Sequence, residues 1–374
     1  MRILVAMDKF KGSLTAAQAG EAVRRGLLRV FENEQAAIDL CPVADGGEGT
    51  TDAVVSALGG EQVSLAAHDA QWRPITAHYG IVQHQGGAEA VMEMSATAGL
   101  AQVSDLPLDP AAATTHGTGV MMRDALARGV KRIVIGIGGS ATNDGGIGMA
   151  QALGFVFRDA QGREVEALPA EFESVERIER APPVKCEILV ACDVRNPLLG
   201  AEGATRVYGP QKGVRDIDFF EARLTKLADL VARDLGTDFR DEPGAGAAGG
   251  LGFGLMSFCG ARLVPGFDLV ASITGLEARL AAADLIITGE GRLDGQTLHG
   301  KGPAGVAALA RSAGKKCIAL AGVIEPGAEL SRIFDLLLQT KPAAMEVSEA
   351  MRAGARLLEE KVVENAGLIR ELVL

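Results

Sequence analysis

The feature that most constrains this chain is a repeated junction: a short apolar run stops abruptly in a polar, glycine-rich loop, and a segment with helical periodicity follows. Arg2 to Ala6 breaks at Asp8 and Lys9, and from Ser13 an alanine-, leucine- and valine-rich pattern at helical spacing continues to about Val30. A second strand is expected at Ala37 to Cys41, ending in PVADGGEGT, and a helix-and-strand pair runs through Val54 to Leu65. Strand, loop, helix, strand is the rhythm of βαβ units, whose parallel strands require helical crossovers. The 48 glycines in 374 residues, well above the roughly 7% norm, point to many tight turns or close backbone approaches at such loops.

The rhythm changes between His68 and Met94, where the short alternating runs ITAHYGIV and AVMEM predict antiparallel strands and a domain boundary near residue 70. Helix (Gly119 to Arg128) and strand (Arg132 to Ile137) signals then resume, with a helix to Leu153 beyond GIGGSATNDGG. Further strands are expected at Glu187 to Ala191 and near Thr205 to Val207, and a long amphipathic helix at Phe219 to Asp234. Near the end, DLIITGEGRLDG, KKCIALAG and FDLLLQT each carry a buried-strand run, before a final helix after Ser348. A chain of 374 residues exceeds the size at which one core stops growing. The expected fold is therefore two α/β domains. Residues 1–70 with 266–374 form a mostly parallel, three-layer Rossmann- or flavodoxin-like sheet, residues 71–265 are inserted as a second α/β domain, and the site is expected in the cleft.

Charge and cysteine usage exclude several classes. A net charge of −11 disfavours a general nucleic-acid binder, so an anionic small substrate would need a locally positive pocket. The five cysteines are odd in number and scattered, with neither zinc spacing nor a disulfide framework, which fits a reducing cytoplasm. MRILVAMDKFKGS lacks signal-peptide architecture and no apolar stretch approaches membrane length, so no membrane partner is expected.

The loops themselves carry the candidate chemistry. MDKFKGS (7–13) lies between strand and helix, so its amides, Lys9 and Lys11 suit an anion; two exposed lysines with Ser13 as helix N-cap is the plainer alternative. In ADGGEGT (44–50), Asp45 and Glu48 offer carboxylates to a metal or hydroxyl, or simply favour a helix N-terminus. IGIGGSATNDGGIG (135–148) presents Gly138, Gly139, Ser140, Thr142, Asn143 and Asp144 in a loop able to cradle phosphate, though it lacks P-loop spacing and fails the dinucleotide register at its third glycine. ACDVRNPLLG and YGPQKG supply Asp193 as a base and Asn196 and Lys212 as phosphate contacts, or ordinary turn chemistry. PGAGAAGGLGFG (243–254), with Gly246 and Gly249, reads equally as a nucleotide or hinge loop and as close helix packing. ITGEGRLDGQTLHGK (287–301) gathers Glu290, Arg292, Asp294, Thr297, His299 and Lys301, where Arg292 and Lys301 would face a carboxylate and a moving phosphoryl group. The five histidines show no zinc pattern.

Taken in order, DKFKGS, PVADGGEGT, IGIGGSATNDGG, ACDVRNPLLG, GPQKG, PGAGAAGG and ITGEGRLDGQTLHGK resemble the type-1 glycerate kinases, from Met1 to about Gly322. The resemblance implies ATP-dependent phosphorylation of D-glycerate, to 2-phosphoglycerate in the bacterial members it is most similar to, and a two-domain α/β architecture. Phosphoryl transfer needs positive charge on the transferred group, Mg²⁺ bridging the phosphates and a carboxylate near the attacking hydroxyl. On that basis Asp193, Asp45, Asp294 and Lys9 are the catalytic candidates, with Asp193 and Glu290 as metal ligands. Lys11, Ser13, Glu48, Asn196, Lys212, Arg292 and Lys301 would meet substrate or phosphate. Gly138, Gly139, Ser140, Asn143, Asp144, Gly246 and Gly249 would meet the nucleotide. The rivals are a kinase of another small hydroxy acid on the same scaffold, a nicotinamide-dependent oxidoreductase, and a hinged binding module without catalysis. The oligomeric state stays open, with a homodimer among the options.

Overall fold

The computed structural model describes residues 1–84, 86–295, 302–325 and 329–373. The described chain divides into two compact units, the first formed by Met1–Asp45, Asp52–Gly60 and Phe267–Leu374 and the second by Gly46–Thr51 and Glu61–Gly266. Strands are numbered along the chain. The first unit opens with β1 (Arg2–Met7) and β2 (Ala37–Leu40). The second contains β3 (Glu61–His68), β4 (Pro74–His84), β5 (Gly87–Glu93), β6 (Arg132–Gly136), β7 (Val156–Arg158), β8 (Arg177–Glu179), β9 (Glu187–Ala191) and β10 (Arg262–Val264). The chain then returns to the first unit with β11 (Leu285–Leu293), β12 (Lys316–Ile324) and β13 (Leu336–Gln339).

The first unit's sheet has the order β13-β12-β11-β1-β2 with every pair parallel. Counted within the unit, this is the 2-1-3-4-5 order of doubly wound flavodoxin-like sheets, whose switch point lies between β1 and β11. The period-2 alternation of β1 explains why both faces are covered. Leu4 and Ala6 join one apolar cluster with Val306 and Ala310 of the helix Pro303–Ser312. Ile3, Val5 and Met7 join another with Ala19, Val23 and Leu27 of the helix Ala16–Val30 and Leu358 and Val362 of the helix Gly354–Glu364. Each large side chain so buried contributes about 1.5–3 kcal/mol. The helix Ala16–Val30 starts with a capping box: the Gln18 amide donates to Thr15 Oγ1 and the Thr15 amide to Gln18 Oε1. Thr15, not Ser13, is thus the cap.

The second unit holds a six-stranded mixed sheet, β10-β9-β6-β5-β4-β3, parallel from β10 to β5 and antiparallel through β4 and β3. Its body begins at Glu61 because β3 pairs with β4 along its whole length. The antiparallel strands expected between His68 and Met94 are present as β4 and β5, as is the strand at Glu187–Ala191. One expectation is overturned: Thr205 to Val207 lies in a helix, Ala204–Tyr208. Thr and Val suggested a strand, but the Ala204 amide donates to Leu198 O and the Gly209 amide to Thr205 O, and these local bonds outweigh a weak β-propensity. The last helix expected after Ser348 is three: Val347–Arg352, Gly354–Glu364 and Ala366–Val373.

Candidate active site

In open parallel sheets ligands bind beyond the carboxyl ends of the strands at the switch point. A pocket of about 440 Å³ lies there in the first unit, reached by the ends of β1, β11, β12 and β13. Its polar lining includes Asp8, Lys9, Lys11 and Ser13 from the loop after β1, Asp45 from the loop after β2, and Glu290 and Arg292 from β11. Of the residues the sequence singled out, Lys9, Lys11, Ser13, Asp45, Glu290 and Arg292 are therefore brought together. Arg292 is engaged: it pairs with Glu325 and, at 3.6 Å, with Asp294, so Asp294 stands behind it. Lys301, Thr297 and His299 lie outside the described residues.

Asp8 was missed by sequence reasoning. It is the first polar residue beyond the apolar run of β1, which places it at the switch point, and that position was the available signal. It is 7% exposed, and its Oδ1 accepts the Lys9 amide at 2.6 Å. Burial pushes its carboxyl up to about 6, while the charge and amide of Lys9 pull the other way and Asp45 adds to the rise. A carboxylate near neutrality in a pocket with lysines and further carboxylates has the profile of a proton acceptor. Thr340 and Lys341, at the end of β13, also line the pocket and carried no motif.

The glycine loops of the second unit are used differently. Asp144 is buried and accepts four hydrogen bonds, from the Thr115 amide and hydroxyl at 2.8 Å and the Gly146 and Gly148 amides at 3.0 and 3.3 Å. Burial raises its carboxyl and those four donors oppose the rise. Asn143 is buried with its amide nitrogen donating to Thr205 Oγ1, and Ser140 is buried against Gly99. Lys212 is 1% exposed, its ammonium donating to Thr142 O at 2.7 Å. Burial drives its pKa down to about 7 against the field of Asp144. Here Lys212, Asn143 and Asp144 hold the loop from inside rather than present polar atoms to solvent. Gly138 and Gly139, by contrast, are exposed at the end of β6.

The loop 244–250 packs on that same segment. The Gly145 amide donates to Gly249 O, and a Cβ at Gly249 would lie 2.0 Å from Thr142 O. The Gly246 amide donates to Asn196 O. Asn196 staples its own loop, accepting from the Tyr208 hydroxyl and donating to Glu202 O. Asp193 is exposed beyond β9, with Oδ1 accepting the Gly266 amide at 2.9 Å. Glu48 is exposed; the acid that serves the N-terminus of the helix Thr50–Leu58 is Glu93, which accepts the Gly49 and Thr51 amides. No group of three or more His, Cys, Asp or Glu among the described residues is arranged to hold a metal alone. Among those residues, too, no helix is long and apolar enough to cross a membrane.

The comparisons with known proteins agree with one another. A sequence model of the glycerate kinase family matches residues 3–370. A glycerate kinase of Halalkalibacterium halodurans is 41% identical over 370 residues, covering 96% of this chain and 95% of that protein. A glycerate 2-kinase of Escherichia coli K12 is 41% identical over 328 residues, 86% of this chain and 85% of its own. A crystal structure of a protein assigned as glycerate kinase 2 from Salmonella typhimurium LT2 superposes with a TM-score of 0.89 at 39% identity, covering 99% of this chain and 98% of that one. With a family match spanning nearly every residue and relatives this similar over this length, the chain belongs to the glycerate kinase family and is a kinase whose acceptor is an alcohol group.

Proposed function

We propose that this kinase transfers the γ-phosphoryl group of ATP to D-glycerate and that the product is 2-phosphoglycerate. The observation that carries the reading is the pocket at the β1/β11 switch point, where Asp8, Asp45, Lys9 and Lys11 converge. The similarity to the E. coli glycerate 2-kinase supports the 2-hydroxyl as the site of transfer. Kinase catalysis is mostly positioning and charge: the attacking hydroxyl must lose its proton as the loose transition state spreads negative charge over the transferred oxygens. In this reading Asp8 accepts that proton, its raised pKa matching a base that works near neutrality. Lys9 and Lys11 meet the negative charge of carboxylate and phosphate, and burial, with a smaller push from Asp45, holds Asp8 in its proton-accepting range.

Mg²⁺ takes one or two protein carboxylates and fills the rest of its shell with phosphate oxygens and water, and the pocket lining offers Asp45 and Glu290 as such carboxylates. Glu290, which lines the pocket, is the carboxylate we assign to hold it, and a bound ion there would supply positive charge against the phosphates. Five free cysteines, two of them buried, support a reducing cytoplasm as the working compartment. The test is ATP consumption with Mg²⁺ and D-glycerate, the product resolved by phosphorus NMR. A 2-phospho product is expected; a 3-phospho product overturns the regiochemistry, and turnover only on another hydroxy acid overturns the acceptor.

A further inference from the structure

The pocket of the first unit has two chemically different kinds of lining. Besides the carboxylates and lysines it is lined by Val347 and Met351 of the helix Val347–Arg352 and by Phe10 and Leu357. Phe10 and Leu357 are buried, but Val347 is 57% and Met351 36% exposed. Four residues apart, these two share one helix face. That helix buries none of its residues, so its apolar side chains do little for folding and remain available to something else.

The helix is nevertheless held firmly against the loop after β1. Ser13 Oγ donates to Met351 O, and Gly12 adopts φ +75° with Met351 Cε where its Cβ would be, at 2.6 Å. The left-handed backbone favours glycine there, and a Cβ would displace the Met351 methyl. The loop that presents Lys9 and Lys11 thus also fixes the position of Met351.

What occupies such a pocket must be amphipathic. A volume of about 440 Å³ falls in the roughly 300–1,000 Å³ range of sites for drug-sized ligands. A small hydroxy acid has no apolar face to lay on Val347 and Met351. The reaction's other substrate does: a nucleoside triphosphate joins a flat, weakly polar base to a chain of anionic phosphates. We propose that Val347 and Met351 seat the nucleobase of the phosphoryl donor, with the phosphates running toward Lys9, Lys11 and Lys341. The inference rests on the kinase reading above. Methionine suits the task because its flexible, polarisable thioether adapts to ring faces.

The experiment compares the intact wild-type protein with Met351→Glu, Val347→Glu and the conservative Met351→Leu. Calorimetry with ADP is expected to show a dissociation constant raised roughly tenfold or more in both glutamate variants and restored in Met351→Leu. Inorganic tripolyphosphate, which has no base, should compete equally well with all four proteins, and the Michaelis constant for the acceptor should stay put. Unchanged ADP binding in the glutamate variants, or a rise confined to the acceptor's Michaelis constant, overturns the proposal. The failure of the parent reading looks different: a wild-type protein that binds ADP but leaves D-glycerate untouched refutes the acceptor and keeps the base seat.

Discussion

Two loops of this protein look alike on paper and are used in opposite ways. DKFKGS after β1 and GGSATNDGG after β6 both follow a buried strand, precede a helix and mix glycine with charged or hydroxylated residues. In the first, Asp8, Lys9 and Lys11 line a pocket. In the second, Asn143, Asp144 and the partnering Lys212 are buried among backbone groups. The difference is set by what lies on top. The second loop carries the backbone of residues 244–250 directly on it, so most of its polar groups are bonded inside, while Thr142 Oγ1 and Asn143 Oδ1 are buried without a partner. Glycine-rich loops after strands therefore identify places where backbones come close to something; whether that is a ligand or another loop depends on residues far away in the chain.

The sharpest way to break this contrast is at Asp8. Asp8→Asn keeps the shape and an oxygen able to accept the Lys9 amide but removes the base. The expected loss in kcat is about 10²–10⁴-fold, the usual weight of a positioned acid or base, with little change in the Michaelis constants. The acidic limb of the pH–rate profile, expected near the raised value of about 6, should vanish with it. A variant retaining more than half the wild-type rate would return the role to Asp193 or Asp45.

On the other loop the matching test is Gly249→Ala. The new Cβ would meet Thr142 O at 2.0 Å on a backbone with φ +69°. A left-handed L-residue costs about 1–2 kcal/mol and overpacking about 1–3 more, so chemical denaturation should show a loss of about 3 kcal/mol or a failure to fold. A loss under about 1 kcal/mol would mean the two loops separate easily, and the contrast with the pocket loop would weaken.

These two residues also mark how far the sequence could be read. Period-2 runs and glycine junctions reveal the parallel sheet, and the strand at Glu187–Ala191 is found to the residue, because such patterns are local. The strand expected at Thr205–Val207 fails because a helix there depends on a bond to Leu198, which lies outside the short apolar run that suggested it. Lys9, Lys11, Asp45, Glu290 and Arg292 were legible as polar residues at strand ends and do converge. The apolar wall was not: Val347 and Met351 sit on a helix with no distinctive motif, and only the folded first unit brings them to the loop after β1. Nor could the burial of Lys212 be foreseen, since a lysine in a Pro-Gln-Lys-Gly turn ordinarily points to water.

Asp8 provides a smaller, stability-based test as well. Its folded pKa of about 6 lies above the ordinary 3.8, so the native state holds the proton more tightly than the unfolded chain does. The resulting contribution to stability is complete below about pH 3.8 and is lost as pH rises through about 6. Two units at about 1.4 kcal/mol each put the whole effect near 3 kcal/mol. Urea unfolding of wild type and Asp8→Asn from pH 4 to pH 7 should show the wild type losing most of it, roughly 2–2.5 kcal/mol, relative to the variant. Parallel curves would mean Asp8 is far better solvated than its 7% exposure implies, and would remove the basis for its role as acceptor.

The smallest effect separates the two reasons a loop like 244–250 uses glycine. Gly249→Ala challenges both conformation and space, so its cost alone cannot say which dominates. Its neighbour Ala248 is a side-chain-bearing residue already held at φ +54°, ψ +38°, in the left-handed region. Ala248→Gly changes conformational cost without inserting an atom. Relief of left-handed strain is about 1–2 kcal/mol, offset by about 0.4–1 kcal/mol for the freer unfolded chain, so a net gain of about 0.5 kcal/mol is expected from denaturant midpoints. A gain of that size beside a large loss at Gly249→Ala would show that backbone conformation is the lesser demand. Close approach to the Thr142 backbone would then be what makes this stretch glycine, whereas at Gly12 of the pocket loop the close neighbour is the end of a flexible side chain, Met351.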